Sequence, residues 1–194
     1  MSSPFSRSSG SIPRRRPQAF TLVELMVIVA VIGIVSGVAI TGMAPFLQEQ
    51  KLRQATAELA SYLQSARAKA QREGLSCELA FSGPSSTVIG PTTTAGNVCN
   101  SGPLQAGLNL LSVSGASGLA LRDLTNTSIP NLTFTRFGTL ASNNLSSTTV
   151  VQLPRLIELR ANSTTMRTCV FLDLVGIRTG WRLGASGTCT YTNG

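Results

Sequence analysis

Between Phe20 and Ile40 the chain reads FTLVELMVIVAVIGIVSGVAI, and Glu24 is its one charge. From Leu25 to Leu47 there is no charged residue across 23 positions. About 20 helical residues cross the hydrocarbon core of a bilayer, so this run is long enough to be a transmembrane helix. A secretory signal has a shorter apolar region, about 7–15 residues. Gly42-Met43-Ala44 before Pro45 nevertheless forms a small-x-small cleavage pattern, so a signal peptide cut after Ala44 is the competing reading. Residues 1–19 are rich in Ser, Pro and Arg without apolar periodicity, as in an unstructured leader. Arg14, Arg15 and Arg16 stand directly before the run. They keep the N-terminus in the cytoplasm and send the C-terminus across.

Glu24 is costly in an apolar helix unless it pairs or reaches the interface, which invites a functional explanation. Gly33, Gly37 and Thr41 follow a small-xxx-small spacing that lets another helix approach closely. Pro45 removes a helical donor where the run ends. Beyond it Leu52, Ala55, Leu59, Tyr62 or Leu63, Ala66 and Ala70 recur at three- and four-residue steps. Lys51, Arg53, Gln54, Gln64, Arg67, Gln71 and Arg72 take the opposite face. The pattern predicts one helix from Phe20 to Glu73, stopped by Gly74, with a stripe that something must cover.

The remainder supplies the cover. Short β-branched and aromatic segments alternate with Gly, Pro, Asn and Ser. Strands are expected at Cys77–Phe81, Thr87–Ile89, Leu108–Val113, Leu119–Arg122, Asn131–Arg136, Thr148–Leu153, Leu156–Arg160, Arg167–Leu174 and Arg178–Leu183. Val175-Gly176-Ile177 reads as a hairpin bend, and Gly83–Ser101 and Ala141–Ser147 as loops. The fold class is therefore α+β: a long N-terminal helix packed on a C-terminal antiparallel β-sheet or β-sandwich. The segments are 1–19 leader, 20–47 transmembrane helix, 48–74 amphipathic continuation and 75–194 β-rich domain.

Cys77, Cys99, Cys169 and Cys189 form no CxxC, and the chain has no histidine. An even number behind a membrane-targeting segment favours disulfides in an oxidising compartment, over four buried thiols. Three pairings exist; the sequence-local one joins Cys77 to Cys99 and Cys169 to Cys189. Lack of histidine excludes His-based triads, HExxH and histidine metal clusters, and there is no P-loop pattern. No metal, cofactor or catalytic residue is expected. Asp123 and Asp173 read as solvated surface carboxylates.

The net charge is +8, from 16 basic and 8 acidic residues, and half of it lies in the leader at Arg7, Arg14, Arg15 and Arg16. Arg155, Arg160, Arg167, Arg178 and Arg182 crowd the last quarter, with Glu158 and Asp173 opposing them and Trp181 and Tyr191 nearby. Such a group can hold a nucleic-acid backbone or be the solvated face of a sheet.

Phe20-Thr21-Leu22-Val23-Glu24-Leu25 behind a basic leader resembles the cleavage region of type IV prepilins and type II secretion pseudopilins. The resemblance implies a prepilin peptidase that cuts between Ala19 and Phe20 and methylates the new amine. Most members carry Gly where this chain has Ala19. It also implies that Glu24 pairs with the N-terminal amine of a neighbouring subunit. Arg53 to Leu59, Ser65 to Ala70, and the pairing of Leu132-Thr133-Phe134 with Arg167 to Arg178 resemble the GspH/FimT branch of minor pilins. The implied protein is a non-enzymatic minor pseudopilin or minor pilin, single-pass in the bacterial inner membrane with a periplasmic β domain. From there it joins other pilins in a filament that supports secretion or pilus function. The alternative is a pilus-tip protein that binds DNA for uptake. That branch carries a C-terminal Gly-Arg-x-Arg motif. Here Ile177 follows Gly176 and only Arg178 falls into place, with Arg182 as the second candidate for phosphate contact.

Overall fold

The structure, a computed structural model, describes residues 21–124, 129–141, 154–162, 164–174, 176–184 and 188–191, without the side chains of 37–42 and 84. Ala19, Phe20, the strand expected at Thr148–Leu153 and most of the loop at Ala141–Ser147 lie outside these residues. The first helix, α1, runs Leu22–Glu73. The chain divides into two compact units between Thr41 and Gly42.

In the first unit α1 starts on Thr21, whose carbonyl accepts from Leu25 N at 3.2 Å and whose hydroxyl accepts from Glu24 N at 3.3 Å. Thr21 is thus the N-cap, satisfying a donor that the first turn leaves open. Every large apolar side chain described from Leu22 to Val35 is exposed, between 44% and 72%. Ser36 returns its hydroxyl to Ile32 O at 2.7 Å, so even the polar side chain is satisfied within the helix. Among the described residues no helix is long and apolar enough to cross a membrane.

In the second unit α1 passes through Pro45 and acquires a buried stripe. Leu52, Ala55, Leu59, Leu63, Ala66 and Ala70 are completely buried. Three- and four-residue steps keep them on one face. Leu63, rather than Tyr62, is the residue of that pair in the core; Tyr62 is half-buried and donates its hydroxyl to Leu104 O at 2.9 Å. Gly74 ends the helix at φ +67°, the left-handed geometry glycine adopts at low cost.

Among the described residues nine strands follow: β1 Cys77–Ser82, β2 Val88–Pro91, β3 Leu108–Asn109, β4 Ala120–Asp123, β5 Leu132–Phe134, β6 Arg155–Arg160, β7 Met166–Leu172, β8 Ile177–Leu183 and β9 Thr190–Tyr191. They form two antiparallel sheets, ordered β3-β2-β1-β5 and β4-β6-β7-β8-β9. Leu79, Ile89, Leu132 and Phe134 of the first sheet and Leu121, Ile157, Leu159, Val170 and Leu172 of the second share one core with the α1 stripe. The Thr56 hydroxyl joins α1 to the second sheet through Thr168.

Two expectations need correction. The segment Leu108–Val113 is a strand only at Leu108–Asn109; Leu110–Ser114 is a short helix, α2. Asn109 Oδ1 accepts from Leu111 N and Ser112 N, and Gly115 closes the other end at φ +59° with its N–H on Leu111 O. These caps outweigh the β-like composition. The interval Gly83–Ser101 is not one loop, because Val88–Pro91 pairs with β1 from Leu79 to Ser82. The bend between β7 and β8 is closed by Asp173 N donating to Gly176 O at 3.0 Å; Val175 lies outside the described residues.

Candidate assembly site

Glu24 sits three residues after the N-cap, so Thr21-Leu22-Val23-Glu24 has the spacing of a capping box. Its backbone N–H is the one Thr21 holds, and its exposed carboxylate lies in the first turn, where the helix dipole favours a negative charge. Among the described residues no cation pairs with it. The helix start therefore fixes where the carboxylate emerges. Sequence reasoning found Glu24 by its cost in an apolar run and missed Thr21, although the T-x-x-E spacing was legible.

Gly33 lies on the same helix, and a Cβ built there would meet nothing within 4 Å. Nothing described in the chain requires glycine at that position. Gly37 is helical, and its surroundings lie outside the description.

The four cysteines form two local disulfides. Cys77 at the start of β1 joins Cys99 with Cα atoms 5.2 Å apart, tying the Gly83–Ser101 excursion to the core. Cys169 on β7 joins Cys189 before β9, with Cα atoms 6.4 Å apart. Both separations are ordinary for a disulfide. The second bridge passes over β8 where Cys169 faces Gly180. A Cβ on Gly180 would collide with the Thr190 carbonyl oxygen and come within 3.1 Å of the Tyr191 ring. Glycine is thus what lets the terminal strand close down on β8.

The C-terminal arginines are not one solvated face. Arg155 is fully buried and bonded to Asp123 through Nη2. Asp123 is buried as well, which corrects its reading as a surface carboxylate. Burial pulls the Arg155 guanidinium down to about 10. Glu158, also fully buried, accepts from Arg167 at 2.7 Å and from Arg182. Of the two β8 arginines suited to phosphate contact, Arg182 is thus buried against Glu158. Arg178 alone stands in solvent, 4.9 Å from the Phe171 ring centroid and 5.9 Å from that of Tyr191. Tyr191 has its hydroxyl pKa raised by burial, with Arg178 opposing the rise. Asn97 is a polar hub that sequence reasoning did not single out. Its side chain accepts from Glu78 N and Cys99 N and donates to Glu78 O and Thr92 O.

The geometry is that of an uncovered apolar helix, capped and charged at its start, joined to a disulfide-braced two-sheet domain. Residues 14–40 match the family model described as the prokaryotic N-terminal methylation motif. The crystal structure of the type IV minor pilin FimU from Pseudomonas aeruginosa superposes with a TM-score of 0.50. It is 19% identical, and the match covers 75% of this chain and 97% of that one. The chain is pilin-like in motif and fold. At this identity the structural match speaks for the fold alone. Curated proteins gave no match. The pilin-like reading joins the two halves of α1: the motif occupies its exposed start, and the β domain buries its end.

Proposed function

We propose that this chain is a minor pilin or pseudopilin whose role is assembly, not catalysis. It is made as a precursor, cut between Ala19 and Phe20 by a prepilin peptidase and methylated on Phe20. Residues 20–47 then anchor it in the inner membrane, with the β domain in the periplasm, until α1 packs among the helices of other pilins. The observation that carries this reading is the prepilin-type motif leading into a helix whose apolar side chains are exposed among the described residues. An apolar surface of that extent calls for lipid or a partner. Glu24 meets the methylated amine of a neighbouring subunit, which neutralises the carboxylate on assembly, and Gly33 and Gly37 admit the neighbouring helix. The two disulfides accord with an oxidising compartment.

The test is Glu24→Ala in cells that assemble the filament. The variant is expected in the membrane fraction, cut at Phe20, and absent from sheared filaments. Normal incorporation would sink the role given to Glu24. A mature chain beginning at Pro45 would replace the whole reading with a conventional signal peptide.

A further inference from the structure

The second unit carries an exposed apolar surface at the end where α1 enters it. Met43, Phe46 and Leu47 are about half exposed. Their i, i+3, i+4 spacing puts them on one helix face. That face continues one turn later at Lys51, whose ammonium donates to Gly115 O at 3.1 Å. Gly115 is the C-cap of α2. Lys51 therefore ties α2 to the helix face about 6 Å along the axis from Leu47. Within α2, Leu110 and Ser114 turn inward, while Leu111 and Val113 point outward and are 43% and 42% exposed. Two apolar groups, one on each helix, thus stand uncovered on either side of a lysine.

We infer that this surface is a lipid seat: α2 and the Met43–Leu47 face of α1 rest on the headgroup region of the bilayer before assembly. The inference rests on reading residues 20–47 as the membrane anchor. Covalent continuity selects lipid as the occupant. The apolar run ends at Leu47, so a chain that spans the bilayer through this run emerges at Met43–Leu47. Whatever Lys51 holds beside that face lies at the interface too. The chemistry matches: apolar side chains enter the boundary between headgroups and acyl chains, and a lysine with an apolar stem keeps its ammonium at the polar level. Anionic headgroups favour the cation further. The seat would orient the β domain on the membrane and be given up when the subunit enters a filament.

Nitroxide accessibility in the full-length chain tests this. No free cysteine competes for the label among the described residues. Single cysteines replace Ser36, Ser112 or Phe137, and each protein is placed in vesicles of phosphatidylcholine and phosphatidylglycerol. Ser36 reports on the anchor, Ser112 on the seat, and Phe137, in an exposed turn bonded to Gln71 near the far end of α1, on bulk water. Labels at 36 and 112 are expected to be shielded from a water-soluble nickel chelate, and the label at 137 to be open to it. Leu111→Ser with Val113→Ser should abolish the shielding at 112 and leave that at 36 intact. An open label at 112 with a shielded one at 36 overturns the seat and spares the anchor. An open label at 36 overturns both. Shielding at 112 that vanishes at low protein-to-lipid ratio makes a neighbouring subunit the occupant and also overturns the inference.

Discussion

The buried pair Asp123–Arg155 makes the sharpest stability prediction. Asp123 ends β4 opposite Ile157, and Arg155 opens β6 two residues before Ile157, so the two are diagonal neighbours on the core face. Neither side chain has any exposure. Asp123→Asn keeps the shape and removes the charge that faces the guanidinium. Arg155 would then hold a buried positive charge, with its Nε and Nη1 already lacking a hydrogen-bond partner among the described residues. Removing one member of such a pair costs about 3–5 kcal/mol. In a domain of this size that lowers the melting temperature by about 6–20 °C. The depressed Arg155 pKa points the same way, because the interior already disfavours this charge. Arg155→Met should also destabilise, by removing the cation that faces the buried carboxylate. The double variant Asp123→Leu, Arg155→Met should return to within about 1–2 kcal/mol of the parent, since apolar groups of similar volume replace buried ion pairs well. Urea unfolding of the full-length chain in detergent, followed by circular dichroism, gives all four values. Singles that each lose less than about 1 kcal/mol, or a double variant that loses the sum of both, would refute the assignment.

Three smaller predictions follow from single contacts. Tyr62→Phe removes the hydroxyl that donates to Leu104 O and should cost about 1 kcal/mol. Burial raises the Tyr62 pKa above 10, so the unfolded chain releases this proton first. The contribution is full below pH 10 and is lost as pH rises through the folded value, so the variant should show a shallower alkaline decline in the urea midpoint. Gly74→Ala places a side chain at φ +67° with nothing within 4 Å of its Cβ. It should therefore cost about 1 kcal/mol from backbone strain alone, and a loss well beyond that in a thermal melt would indicate a packing role instead. Each disulfide closes a loop of about 20 residues, worth roughly 3 kcal/mol. A reductant should lower the urea midpoint accordingly, and an unchanged midpoint would count against both bridges.

Much of the fold was legible because its signals are local. The step of three and four residues from Leu52 to Ala70 identified the buried face of α1, and Gly74 marked its end. Alternation and turn residues placed most of the strands to within a residue or two. The α2 segment was misread because Leu, Val and Ser suit a strand as well as a helix. The deciding groups, Asn109 and Gly115, act through hydrogen bonds that composition does not show. At the helix start, Glu24 was conspicuous as a charge in an apolar run, whereas the role of Thr21 rests on its hydroxyl accepting from the Glu24 amide.

By itself the sequence determined the long helix, its change from all-round apolar to one apolar stripe, and the prepilin-type start with its single carboxylate. Each depends on residues within a few turns of one another. Only the tertiary structure decided what the C-terminal charges do. Asp123 meets Arg155 across 32 residues and Glu158 meets Arg182 across 24. Those distances in sequence carry no period. Which strands become neighbours, and in what register, decides whether an arginine faces water or a buried carboxylate. The same holds for the seat at the foot of the domain, because the chain alone does not show that Lys51 reaches Gly115, 64 residues away.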